Sequence, residues 1–388
     1  MKKIAALFLL ASCSFSALAQ TMSLPVPAAP TMDVSSYALL DFQSGELIAS
    51  HNPDTRVEPA SITKVMTVYV AFDEIKHGRL KLSDTALISE KAWRQGKDSS
   101  ESRMFIEVGT RVKIEDLLRG IIIASGNDAS VALSEHMAGS ESVFAEMMNQ
   151  YAKKLGMKNT HFADASGLPD PNHYTTARDL TILGRALIRD FPEMYKIFAE
   201  RSYAYSGAPK VKAQPNRNGL LEKDPSVDGI KTGHTSAAGY CLLASAQRDG
   251  RRLISAVMGA PSWAGRETSS LELLNYGFRF YETVSMFGAT KPVSTIRVWK
   301  GSEEQLAVGV LPALSMALPR GSSAQIKAVP QITEQAVAPI KAGQKLGTIT
   351  ITLNGKPLRT VPLVALKDVP EGGFFHRISD SVQMLISK

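Results

Sequence analysis

The sequence predicts two folded units of different class: an α/β unit with helices packed on an antiparallel sheet, followed by a small all-β unit. Three observations carry this. From about residue 35 to residue 285, helix-period apolar patterns alternate with strand-like runs. After about residue 287 the helical period stops, and short β-type runs separated by Gly and Pro take over. The chain of 388 residues has room for two domains, and its 44% hydrophobic and 21% charged content excludes a disordered chain.

The first twenty residues read as an export signal. Lys2 and Lys3 give a positive start, residues 4–11 a short apolar core, and Ala17-Leu18-Ala19 a small-x-small cleavage site. The core is too short to span a bilayer. Leu10-Ala11-Ser12-Cys13 forms a competing lipoprotein-type box, with cleavage after Ala19 the preferred reading. Cleavage there leaves Cys241 as the sole cysteine, so no internal disulfide forms, and its apolar surroundings make it a buried structural thiol. The formal charge of +7 includes Lys2 and Lys3, and no basic run interleaves with aromatics. Nucleic-acid binding is thereby disfavoured, while mild attraction to an anionic surface is retained.

Residues 22–34, rich in Pro and Ala, read as a tether. Residues 37–41 and 46–50, joined through Gln43-Ser44-Gly45, predict a hairpin. Helical patterns follow at residues 61–75, 113–123, 129–137 and 143–155, and another begins at Thr176, where Asp179 completes a capping pair. Residues 227–231, 239–245 and 253–259 are strand-like, the last two linked by the turn signal Arg248-Asp249-Gly250. Residues 269–282 predict the closing helix. The β-type runs lie at 293–299, 305–310, 325–329, 345–353 and 360–365. At the end, Phe374, Ile378, Val382 and Leu385 recur at helical spacing, either as an interfacial amphipathic helix or as a terminal helix docked on its own domain. The division is therefore a signal at 1–19, an α/β domain at 35–285, a β-rich domain at 290–370 and a terminal helix at 373–388.

Three short motifs carry the chemistry, in the order Ser61-Ile62-Thr63-Lys64, Ser125-Gly126-Asn127, Lys231-Thr232-Gly233. A serine hydroxyl needs a neighbouring base, and positions i and i+3 of a helix share a face, so Lys64 reaches Ser61. Burial under the apolar residues 65–71 would leave that lysine unprotonated. Pro59 and Ala60 put Ser61 at a helix N-terminus, where free N–H groups favour negative charge. Ser125-Gly126-Asn127 interrupts a helical pattern, aiming two polar side chains into a cleft. Ser125 can pass a proton to a leaving amine, and Asn127 can hold a substrate amide. On a strand edge, Lys231 suits a terminal carboxylate, Thr232 adds a hydroxyl donor, and Gly233 admits a substrate backbone. The His234 N–H pairs with that of Ser61 as a candidate oxyanion hole. Each motif alone is weak; in this order they are the set shared by penicillin-binding proteins and class A β-lactamases.

The chain resembles the D-alanyl-D-alanine carboxypeptidases, the low-molecular-mass penicillin-binding proteins. The resemblance extends to Glu58-Pro59-Ala60, Asn216-Arg217-Asn218-Gly219-Leu220-Leu221, Val227-Asp228-Gly229-Ile230, His234-Thr235 and Tyr276-Gly277-Phe278-Arg279-Phe280. It covers roughly residues 35–385 and implies a penicillin-binding/β-lactamase-like domain, a β-rich C-terminal domain and a membrane-associating helix. By the same resemblance Ser61 is the acyl-enzyme nucleophile, Lys64 the proton acceptor and Ser125 a proton relay. Lys231 and Thr232 hold substrate, Arg266 stands near the terminal carboxylate, and Arg217 supports the cleft. The implied partners are peptidoglycan stem peptides, β-lactams as covalent inhibitors and the outer face of the inner membrane. No cofactor or metal is called for. Residues 208–213 depart from the pattern as a local insertion.

The competing readings are weaker. A class A β-lactamase needs a deacylating Glu between the second and third motifs, and Glu272-Leu273-Leu274-Asn275 comes after Lys231. The second domain is small for a transpeptidase module, no His-Glu-x-x-His supports a metallopeptidase, and the intact motifs argue against a non-catalytic wall-binding protein.

Overall fold

A computed structural model of the protein describes residues 26–96, 101–208, 210–332 and 335–386. The export signal at 1–19, the box ending at Cys13 and Pro209 of the 208–213 stretch lie outside the described residues.

The hairpin forms from β1 (Ser36–Asp41) and β2 (Leu47–His51). Three later strands complete an antiparallel sheet: β3 (Val227–Thr235), β4 (Gly239–Arg248) and β5 (Arg251–Ala260). The order is β2-β1-β5-β4-β3, which leaves β3, the strand of the third motif, at one edge. Strand alternation divides the sheet's side chains between two cores. Leu40, Ile230, Cys241, Leu243, Ile254 and Met258 face the helices that lie between β2 and β3 in the chain. Leu39, Leu242, Ala244, Leu253 and Val257 face the closing helix. Cys241 is fully buried, and burial pushes its thiol up to about 11, as expected of a packing residue.

The helices on the first face are α1 (Lys64–Lys76), α2 (Ile114–Ile122), α3 (Asn127–Ala138), α4 (Glu141–Leu155) and α5 (Ala177–Asp190). Thr176 caps α5 by accepting the Asp179 N–H, as its spacing predicts. The Asp179 carboxylate does not close the box; it accepts from Asn159 N–H and Thr160 instead.

The closing helix departs from expectation. α6 runs Trp263–Phe280 rather than 269–282, because Ser262 caps it by accepting the Gly265 N–H, and small residues at 264 and 265 hide its first turn. Glu282 belongs instead to β6 (Tyr281–Phe287), which pairs with a strand that the sequence pattern did not reveal, Leu314–Pro319.

Beyond residue 290 the chain is β-rich. Lys345–Leu353 pairs antiparallel with Lys356–Ala365 on one side and Ile326–Ile332 on the other, in a six-stranded sheet around Leu306, Val308, Ile349, Ile351 and Leu363. The β-rich region is tied to the first domain where Glu46 accepts from Ala317 N–H at 2.9 Å, on Leu314–Pro319, and from Arg359 at 3.1 Å, on the six-stranded sheet. The last element, α7 (Phe374–Ile386), is anchored through its only buried residue, Asp380, which accepts from the Lys300 N–H. Its apolar side chains face outward: Phe375 is 85% exposed and Leu385 77%. No helix among the described residues is long and apolar enough to cross a membrane.

Candidate active site

Ser61 lies in a single 3-10 turn, Ala60–Thr63, immediately before α1. The turn is strained: Ala60 has φ 47, in the left-handed region that a side chain disfavours. Lys64 opens α1 and is fully buried. Its Nζ lies 2.8 Å from Ser61 Oγ, 2.7 Å from Asn127 Oδ1 and 2.8 Å from the Ser166 carbonyl oxygen. Two of these three partners are pure acceptors. A neutral amine has two N–H bonds and one lone pair; the two acceptors take the N–H bonds, and the lone pair faces the serine hydroxyl. Burial brings the lysine down to about 7, against the opposing pull of Asp164, Glu101 and Asp128. The geometry and the protonation state thus agree: at neutral pH Lys64 can take the Ser61 proton.

The Asn127 amide is oriented by its other end, since Nδ2 donates to Glu101 at 2.8 Å. Ser125 stands in the break between α2 and α3 at φ 60, and Lys231 Nζ donates to its Oγ at 2.9 Å. Lys231 is buried, and burial, reinforced by Lys64, Arg266 and Arg217, holds it well below the usual lysine range. Asp128 secures the wall opposite by accepting the N–H groups of Met104, Phe105 and Ile106 at 2.8, 2.8 and 3.3 Å. Gly233 on edge strand β3 packs onto the serine turn; a Cβ there would stand 2.8 Å from the Pro59 carbonyl oxygen.

Ser61, Ser125, Asn127, Thr232, His234, Arg217 and Arg266 line one cleft of about 540 Å³. Lys64 and Lys231 sit in its floor. His234 is exposed at the rim, its ring 4.1 Å from that of Tyr240. Two guanidinium groups line this cleft, those of Arg217 and Arg266, and they predispose it to an anionic substrate end. Among the described residues no cluster of three or more metal-ligating side chains forms.

The model for the D-alanyl-D-alanine carboxypeptidase family matches residues 24–262, and that for the C-terminal domain of penicillin-binding protein 5 matches residues 281–371. The D-alanyl-D-alanine carboxypeptidase DacA of Escherichia coli strain K12 is 42% identical over 364 residues, covering 93% of this chain and 89% of its own length. The chain belongs to the D-alanyl-D-alanine carboxypeptidase family. Penicillin-binding protein 5 from Haemophilus influenzae has a similar solved structure, with a TM-score of 0.85 and 41% identity over 89% of this chain and all of its own. Penicillin-binding protein D2 from Listeria monocytogenes, solved in its ampicillin-bound form, matches with a TM-score of 0.58 and 27% identity, over 64% of this chain and 100% of its own.

All eight candidate site residues of this serine-type carboxypeptidase gather in or under the one cleft. Sequence reasoning missed the loop that completes it. Asp164 accepts the N–H groups of Ser166 and Gly167, both at 2.6 Å, and of Leu168 at 3.1 Å, which turns the Ser166 carbonyl toward Lys64. Burial alone would raise the Asp164 carboxyl, but His173 and these N–H groups outweigh it and hold it at about 2. His173 also lies 2.9 Å from Thr63 Oγ1, and Thr67 donates to the Ala165 carbonyl at 2.7 Å, so the loop is pinned to the serine helix. The available signal was Gly167-Leu168-Pro169-Asp170-Pro171, a turn-rich stretch between helices; a backbone carbonyl that acts as a ligand leaves no mark of its own.

Proposed function

We propose that this carboxypeptidase removes the terminal D-alanine from peptidoglycan stem peptides through an acyl-enzyme on Ser61. The observation that carries the reading is the Lys64 amine, buried, brought down to about 7 and 2.8 Å from Ser61 Oγ with its other two positions occupied by acceptors. Ser61 attacks the carbonyl carbon between the two D-alanines while its proton passes to Lys64. The N–H groups of Ser61 and His234 receive the oxyanion. The C–N bond breaks as Ser125, hydrogen-bonded to Lys231, hands its hydroxyl proton to the leaving amine and regains the one that Lys64 took. Water, giving a proton to the restored Lys64 amine, then attacks the acyl carbonyl, and the shortened stem leaves as Ser61 Oγ is reprotonated. Asn127 and Thr232 align the peptide, and the cations Lys231 and Arg266 favour its terminal carboxylate.

The wider assignment follows the same line. Residues 1–19 are an export signal, 35–285 carry the peptidase, 290–370 form a β-rich pedestal, and 373–388 lie on the outer face of the inner membrane through the exposed face of α7. β-Lactams, whose strained amide resembles the scissile bond, acylate the same serine. Intact-mass measurement after incubation with penicillin tests this: one adduct on wild type, absent in Ser61→Ala, is expected. No adduct on the wild-type protein, or an adduct that survives the substitution, contradicts it.

A further inference from the structure

Arg266 is held in the cleft wall by aromatic rings rather than by a carboxylate. Its guanidinium carbon lies 4.1 Å from the Trp263 ring centroid and 5.8 Å from that of Tyr240. Only 1% of the residue is exposed. Nη1 donates to the Gly233 carbonyl at 3.3 Å, whereas Nε and Nη2 have no partner among the described residues. Those two nitrogens form the side-on edge of the guanidinium, the fork that matches a carboxylate's two oxygens. Buried donors are rarely left unpaired in the absence of a ligand.

Trp263 is fixed at two points. Its ring face covers Arg266, and its indole N–H donates at 2.9 Å to Glu267, a buried carboxylate that also accepts from Lys223 at 2.6 Å. Glu267 fits there because position 219 is glycine: a Cβ would stand 2.4 Å from its Oε1. The hydrogen bonds of Glu267 are thus directed away from Arg266, to the tryptophan that covers it. Yet Trp263 is 45% exposed and lines the cleft with Tyr240 and Arg266. A large apolar ring kept at a wet rim, and tethered there, needs a use other than packing.

We infer that Trp263 is a positioning residue for substrate recognition: it holds the Arg266 guanidinium flat, so that its unpaired Nε–Nη2 edge meets the terminal carboxylate of the peptide. The inference rests on the carboxypeptidase reading and adds a determinant to it. The ligand class is a peptide ending in a free α-carboxylate. The tryptophan acts through the arginine, and the rigid stack spares the long side chain the entropy of being ordered on binding.

The test is steady-state release of D-alanine from diacetyl-lysyl-D-alanyl-D-alanine by Trp263→Ala, Trp263→Phe, Arg266→Ala and the double Ala variant, with thermal melting of each. Trp263→Ala is expected to lose about 10- to 30-fold in kcat/KM, the size of a desolvated cation–π contact, mostly through KM. Trp263→Phe keeps a ring and is expected within about threefold of wild type. The double variant should fall no lower than Arg266→Ala, since the ring acts through the arginine. An unchanged kcat/KM in Trp263→Ala, losses that add in the double variant, or a loss confined to kcat overturns the inference. If Arg266→Ala does not fold, the Ala and Phe pair with its KM-against-kcat split decides alone. Absence of release by the wild-type protein would instead strike the carboxypeptidase reading itself.

Discussion

Gly167 lies so close to Ala60 that a Cβ at position 167 would stand 1.8 Å from the Ala60 carbonyl oxygen and 2.8 Å from Thr63 Oγ1. The contact locks the Ser166 carbonyl loop onto the strained turn that carries Ser61. With φ at +91, the glycine also has a backbone that other residues rarely adopt.

Gly167→Ala is accordingly expected to push the loop off the turn and remove one of the two acceptors that orient Lys64. The overpacking should destabilise the protein by about 1–3 kcal/mol, and D-alanine release should fall by more than the folded fraction does. Denaturant unfolding and activity on the same sample check this; wild-type activity in the variant would contradict it.

Acylation should depend on pH through Lys64. The reactive form is the neutral amine, and the group sits near 7, so the penicillin acylation rate should rise about tenfold per pH unit below that point and level off above it. Asp164, the foremost of the carboxylates that favour the charged amine, modulates this. Asp164→Asn should move the acid limb to lower pH while weakening the loop. Stopped-flow acylation across the range reads both; a limb that stays in place or moves up would contradict the assignment.

Ser125 Oγ is tied to Lys231 across the cleft. Ser125→Ala removes the relay and should lower kcat by about 10²- to 10⁴-fold, the usual range for a lost proton-transfer group, with melting temperature little changed. Single-turnover kinetics would locate the loss; a decrease below about threefold would remove Ser125 from the mechanism.

α7 presents Phe374, Phe375, Leu385 and Ile386 to the outside and is anchored by Asp380 alone among its buried side chains. Deleting residues 374–388 should release the protein from membranes in fractionation and leave peptide hydrolysis intact. Unchanged membrane retention would sink the helix proposal.

Much of this molecule could be read before its structure. The turn Arg248-Asp249-Gly250 folds with Asp249 at φ 49 and Gly250 at φ 76, as a two-residue hairpin loop demands. The Ser61 and Lys64 pair was legible because helical spacing converts sequence distance into reach. The Asp164 loop was not, since its contribution to Lys64 is a backbone carbonyl. Nor was Glu101, whose hold on Asn127 depends on a segment without periodicity. Trp263 was hidden inside a helix whose first turn is masked by alanine and glycine. Leu314–Pro319 escaped because prolines at 312 and 319 bracket a short mixed run.

The most direct measurement is D-alanine release from diacetyl-lysyl-D-alanyl-D-alanine by wild type and Ser61→Ala under identical conditions. Release by the wild type that disappears in the variant is the predicted result, because the acyl-enzyme forms on that hydroxyl and its proton is the one Lys64 takes. Release that persists in Ser61→Ala, or none from the wild type alongside rapid penicillin hydrolysis, would contradict the account.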